Sequence, residues 1–348
     1  MANATPASSL DLSARGSTAL TVRVSGFFGT LATKKPIGFA GFLFLLLLLA
    51  VALFPGLFAT HNPAQVNIAP PYQNYCLGPK DTFLCPTLVE KSVITGDRVL
   101  EGSFSQPLGT DKLGRDIYSR IVYSARWAAY IGFGSVLISS ILALTLGVTS
   151  GYFSGRYDAI VQRLVDAIMA LPILIVLLAL PSMIGRVDLD GPLPLDEGSI
   201  TFFKLVLILG IIGGAGGSRV IRAAVIGVRS SQYLEAARVI GCTDGRIMAR
   251  HVVPNIFGPL MVQATIGLGA VILAESALSF LGFGVQDPNK PTWGQMLNLG
   301  QQVASIKPWQ AVWPGLFIAL AVFSFNMLGD ALRDMLDPRL RGARGNFG

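Results

Sequence analysis

The sequence predicts an all-α integral membrane protein with six transmembrane helices and both termini in the cytoplasm. Three observations carry that expectation. Of the 348 residues, 52% are hydrophobic and only 14% charged, and the mean hydropathy is +0.58. That is more apolar surface than one soluble core hides, so a bilayer is the natural solvent. The apolar residues also fall in separate runs of bilayer-crossing length. Finally, the formal charge of +7 comes from Lys and Arg in short gaps between those runs, the pattern that sets membrane topology. It is not a basic stripe interleaved with aromatics, so no nucleic-acid partner is expected.

The spans follow in order. Residues 37–58 lie in a charge-free stretch between Lys35 and His61, longer than the roughly 20 residues a helix needs to cross. A long polar segment precedes them, so this run reads as a retained anchor and not a cleaved signal. Arg126 and Arg156 bracket a second span at 127–155, and Asp166 and Arg186 bracket a third. A fourth, 200–218, contains Lys204, whose ammonium can reach the interface. Residues 252–274, extending into 278–283, make the fifth, and 308–329 the sixth.

The chain then divides into a cytoplasmic segment 1–36, a first helix 37–58 and an extracytoplasmic cap 59–124. A five-helix core 125–332 with an internal loop 219–256 follows, and a cytoplasmic tail 333–348 ends it. Orientation rests on the arginines and lysines. Arg15, Arg23, Lys34 and Lys35, then Arg156 and Arg163, the arginines from Arg219 to Arg250 and those of the tail all share one side. The opposite short gaps hold only Arg186, Lys290 and Lys307, so the richer side is cytoplasmic.

In the cap, Cys76 and Cys85 lie in a compartment that permits disulfides; a bridge and two free thiols both remain open. The cap ends in Gly109, Thr110, Asp111, Gly114, Arg115 and Asp116, whose glycines and Asp/Arg pairs suggest a tight turn held by charge-assisted hydrogen bonds. In the fifth run Glu275 is a carboxylate among apolar neighbours, with Ser276 and Ser279 close by. Either it lines a path through the membrane or it reaches an interface or a neighbouring helix. Neither His61 nor His251 has a Ser or Cys partner at suggestive spacing, and the cysteines form no metal-binding pattern, so no catalytic residue and no metal site is expected.

The internal loop is the most informative segment. Residues 233–240 contain good helix formers, Gly241 can take a left-handed conformation after them, and Thr243 or Asp244 can cap a following helix. Arg246 and Arg250 stand at i, i+4. Ala236 and Ala237 keep the first helix thin enough for close approach of a partner. Taken alone, the residues fit a docking element and a basic loop resting on anionic lipid equally well.

The series Glu235, Ala236, Ala237, Gly241 and a segment ending in Pro254 resembles the EAA signature of permease subunits in binding-protein-dependent ABC importers. His251 and Val253 depart from the general pattern toward the peptide and nickel branch. The run from Leu108 to Asp116, the run from Glu275 to Gly284 with Trp293 and Gly294, and the run from Asp337 to Leu340 are similar to the C-type subunit of dipeptide, oligopeptide and nickel importers.

That resemblance implies a type I importer permease fold. It implies that Glu235, Ala236, Ala237 and Gly241 form a docking helix and its turn, with Arg238, Arg246 and Arg250 at the rim. The implied partners are a second permease, two ATPase subunits, an extracytoplasmic binding protein and the bilayer of a prokaryotic inner membrane. The chain contains no G-x-x-x-x-G-K-[ST] phosphate loop, so ATP and Mg would be held by the ATPase subunits, not by this chain.

Overall fold

The fold was taken from a computed structural model, which describes residues 36–69, 71–77, 88–90, 98–100, 103–183 and 197–336. Its framework is a bundle of long helices. Helix α1, Pro36–Leu53, is uncharged throughout. The expected first span continued to residue 58, but the helix breaks at Phe54 (φ −125°, ψ 54°) and resumes as the single turn α2, Pro55–Phe58. Pro55 supplies no N–H and drives the residue before it out of the helical region, which accounts for the break.

Between α2 and the next helix the chain forms the cap. It includes a small antiparallel ribbon, β1 Leu88–Glu90 paired with β2 Arg98–Leu100, with Val89 opposite Val99. This ribbon is an addition to the otherwise helical plan.

Helix α3, Ile117–Phe153, is 37 residues long, about 55 Å at 1.5 Å per residue. It starts ten residues before the predicted second span. The charge that marked that edge is absorbed by the fold, Arg126 Nε donating to Ala52 O at 3.1 Å, and Arg120 within the added turns is buried with its Nη1 donating to Pro63 O at 3.1 Å. After a sharp turn with positive φ at Ser154 and Gly155, α4 runs Gly155–Met169.

The predicted third span is the least regular. Pro172 divides it, ending α4 before it and opening α5, Ile173–Met183, after it. Residues 184–196 lie outside the described part. Among the described residues, five helices are long and apolar enough to cross a membrane.

Helix α6, Glu197–Arg229, packs along α3. The glycines at its middle make that approach possible. A Cβ on Gly214 would sit 2.7 Å from Leu142 Cβ, and one on Gly210 would sit 2.8 Å from Ile138 Cβ. From the other side, a Cβ on Gly147 would meet Ile221 Cβ at 2.7 Å. The glycine cluster is therefore consumed by helix contact inside the chain, as small residues commonly are in membrane bundles.

Two short helices follow, α7 Gln232–Val239 and α8 Asp244–Ile247. The bundle is completed by α9 Phe257–Phe280, α10 Trp293–Gln301 and α11 Trp309–Leu336. α11 packs on α9, α1 and α10. Two apolar clusters result. One, toward the cap, includes Ile121, Leu268, Leu278 and Trp293. The other, toward α7 and α8, includes Tyr152, Val225, Leu234 and Ile247. α3 contributes to both and so links the cap end of the bundle to the loop end.

Candidate functional site

The loop between α6 and α9 is built on a rigid turn. α7 turns Leu234 and Ala237 inward onto the second apolar cluster. At its end Gly241 adopts φ +81°. The Gly241 N–H donates to Arg238 O at 3.0 Å and the Cys242 N–H to Ala237 O at 3.1 Å. These two bonds form a Schellman ending, which satisfies carbonyls that the last helical turn leaves open and requires the left-handed residue that glycine supplies at least cost.

Helical spacing then decides what the tip presents. Leu234 and Ala237 fix the inward face at i, i+3; Val239 stands opposite that face and Ile240 follows the last helical residue, and the two are 86% and 78% exposed. Glu235, Ala236, Arg238, Gly241, Thr243, Asp244, Arg246, Arg250 and Pro254 are also exposed. Of the two alanines, only Ala236 faces outward; Ala237 is buried in the chain's own core.

Thr243 occupies the cap position of α8, but neither its side chain nor Asp244 makes the capping bond expected from the sequence. The Asp244 carboxylate is engaged elsewhere: it accepts a 2.6 Å hydrogen bond from the Tyr152 hydroxyl, and the Arg238 guanidinium lies 5.3 Å from the centroid of that same ring. Beyond α8 the chain widens into one π turn, Met248–Val252, in which Val253 N–H bonds Met248 O. Pro254 has no N–H to continue the ordinary ladder, which explains the wider turn at that position.

The loop is braced from the side by α4. Arg222 donates to both oxygens of Asp158 at 2.6 and 2.5 Å, and the paired guanidinium holds the Asp158 carboxyl below the usual carboxylate range. Arg219 pairs with Asp166, and Arg229 donates to the Ser154 hydroxyl.

At the other end, the motif from Gly109 to Asp116 folds as the predicted tight turn. Gly109 and Gly114 have φ of +80° and +67°. Asp111 Oδ1 accepts from the Leu113 and Arg115 N–H groups at 2.8 and 3.0 Å, and its Oδ2 accepts from Arg115 Nε at 2.7 Å. Thr110 Oγ1 accepts from Gln73 N–H, and Thr110 O from Gln310 Nε2. Asp116 is fully buried and caps α3, accepting from Tyr118 N–H, Ser119 N–H, Ser119 Oγ and Thr60 Oγ1. Cys76 is buried beside this turn, its N–H donating to Pro107 O; Cys85 lies outside the described residues.

Glu275 is buried near the end of α9, where Ser279 Oγ donates to its Oε1 at 2.6 Å and Ser276 Oγ lies 3.4 Å from Oε2. The structure brings these three residues together, and α10, which starts beyond Thr292, packs on the same helix. Among the described residues no group of three or more His, Cys, Asp or Glu is placed to hold a metal.

A model of the family described as "Binding-protein-dependent transport system inner membrane component" matches residues 143–342, more than half of the chain and the whole of the loop. The chain belongs to that family. The permease is 38% identical to a dipeptide transport system permease protein, DppC, of Alkalihalophilus pseudofirmus, over 67% of its own length and 72% of the relative's. It is 35% identical to a di/tripeptide transport system permease protein of Pseudomonas aeruginosa, over 87% of itself and 88% of that chain. Identity to a glutathione transport system permease protein, GsiD, of Pectobacterium atrosepticum is 36%, covering 70% and 77%. A solved MetNI methionine ABC transporter chain superposes loosely on 61% of the permease and 96% of its own length, at 18% identity and a TM-score of 0.45.

The permease is thus the membrane component of a bacterial ABC importer. Its loop also shows residues that sequence reasoning missed. Val239 was legible in principle, because the period that buries Leu234 and Ala237 leaves it outside; Ile240 was not, because it stands i+3 from Ala237 and is freed only by the end of the helix. Tyr152 was not, because its partner lies 92 residues away.

Proposed function

We propose that this permease forms half of a translocation pathway for di- or oligopeptides and takes its power from separate ATPase subunits that receive the tip of the α7–α8 loop. The exposed pair Val239 and Ile240 carries this reading. Two large aliphatic side chains held outward on a hydrogen-bonded turn have more use as an anchor in a partner's pocket than in water. Arg238, Arg246 and Arg250 around them suit a rim that steers and orients the contact. Glu235 and Ala236 face the same solvent, and Gly241 fixes the turn on which the pair stands.

The loop side is cytoplasmic in this reading, since it carries the excess of arginine, and the cap faces the binding protein that delivers peptide. ATP and Mg are held by the ATPase subunits, whose closure draws the loops of this chain and a second permease together. Catalysis belongs to those partners. Transport follows if ATP-bound and ATP-free states favour opposite openings of the pathway. Peptide is chosen as cargo because related permeases are named for dipeptide and di/tripeptide transport. Glu275 with Ser276 and Ser279 then supports the wall of the pathway at its outer end.

Uptake of labelled peptide into vesicles holding the native complex tests both parts. The expected result is uptake that needs ATP and binding protein, and that falls in Glu275→Gln. Uptake that survives ATP depletion on an ion gradient would establish a secondary transporter instead. A Glu275→Gln variant with unchanged uptake and unchanged peptide-stimulated ATP hydrolysis would remove Glu275 from the pathway.

A further inference from the structure

We propose that Tyr152 is a positioning residue that clamps both flanks of the loop tip to α3, making that helix the element through which displacement of the tip reaches the far side of the membrane. This rests on the reading of the loop as the ATPase contact.

The observations converge on one ring. Tyr152 is 4% exposed, in the last turn of α3. Its hydroxyl donates to Asp244, at the start of α8, and its face lies under Arg238, in the last turn of α7. Arg238 and Asp244 stand on opposite sides of the Gly241 turn and are themselves exposed, so each could have been left to water. Instead the buried tyrosine engages both. Its own position is fixed by neighbours: a Cβ on Gly151 would lie 2.9 Å from Val225 Cβ, so α3 and α6 touch there, and Phe153 packs edge-on against the Tyr152 ring at 5.3 Å.

The rest of the argument is mechanical. The flanking helices α6 and α9 do not run straight into the loop: regular helix is interrupted by a break after Arg229 and by a π turn before Pro254. α3 has no break among its 37 residues, and its other end is pinned by buried Asp116 to Thr60 in the cap. A displacement of the tip that acts through Tyr152 therefore moves a continuous rod that spans both ends of the bundle, the kind of two-ended element that coupling requires. Loss of the tyrosine hydroxyl would leave Val239 and Ile240 in place for docking and loosen the link behind them.

The complete importer in vesicles, with Tyr152→Phe, Asp244→Ala and the double variant, tests this. Three quantities are read: recovery of ATPase subunits with the permease, ATP hydrolysis, and peptide taken up per ATP. Recovery should match the unaltered chain. Uptake per ATP should fall about fivefold in each single variant, the scale of one hydrogen bond, and the double variant should fall no further. Uptake per ATP that stays within about twofold of the unaltered chain in Tyr152→Phe, or losses that multiply in the double variant, would overturn the proposal. So would loss of ATPase recovery in Tyr152→Phe, which would make the residue part of the docking surface or of the fold. Failure of the loop reading itself would look different, since the unaltered permease would then not be recovered with an ATPase.

Discussion

Asp116 shows most clearly how single residues hold this chain together. A fully buried carboxylate is costly unless its oxygens are satisfied, and here four donors from the start of α3 and from Thr60 satisfy them. Asp116→Ala removes a helix cap and takes from the Thr60 and Ser119 hydroxyls the carboxylate they share. We expect a loss of about 2–4 kcal/mol, read as a lower unfolding temperature in detergent, with exposed Lys112→Ala as the unaffected control. An unchanged unfolding temperature would mean that the cap contributes nothing to the fold. The sequence showed this residue inside a Gly/Asp/Arg motif and predicted a turn there. It could not show that Asp116 caps a helix, because the helix starts ahead of the charge-free stretch used to place it. Arg126 looks like a span boundary in the sequence, yet its guanidinium finds the Ala52 carbonyl in the fold, as that of Arg120 finds Pro63.

Among the elements, the contact between α3 and α6 depends on glycine for reasons of space. The Gly214 position has no room for a Cβ beside Leu142, so Gly214→Leu must push the helices apart. The expected cost is at least the 1–3 kcal/mol typical of overpacking, seen as a reduced yield of monodisperse protein. Gly227→Ala, at a position with nothing within 4 Å of the added Cβ, should leave the yield unchanged; equal yields from both would contradict this packing. A run of glycines in a span favours close helix contact, but which helix it meets is not legible, since hydrophobic periodicity fixes a face and not its partner. The same holds for the loop. Its two helices, its left-handed glycine and its proline were legible, whereas the inward turn of Ala237 and the diversion of Asp244 to Tyr152 depend on a helix distant in the chain. The third span is the expectation that the fold meets least regularly, because Pro172 interrupts its apolar run.

At the scale of the whole molecule, a long helix joins a polar cap to a loop whose tip is apolar. The membrane class was legible from composition alone, and the family from a few short motifs, because both depend on which residues are present. The proposed division of labour between this chain and an ATPase depends instead on a surface, and the proposal assigns that surface to Val239 and Ile240. Recovery of the ATPase subunits with a tagged Ile240→Asp permease, against the unaltered chain, tests the claim most directly. On the proposed docking, a carboxylate where the isoleucine side chain enters the partner forfeits about 1.5–3 kcal/mol of apolar burial and adds the cost of a desolvated charge. Recovery should therefore drop at least about tenfold while the permease still folds and enters the membrane. Full recovery with Ile240→Asp would contradict the account, because the ATPase would then be held by some other part of the chain.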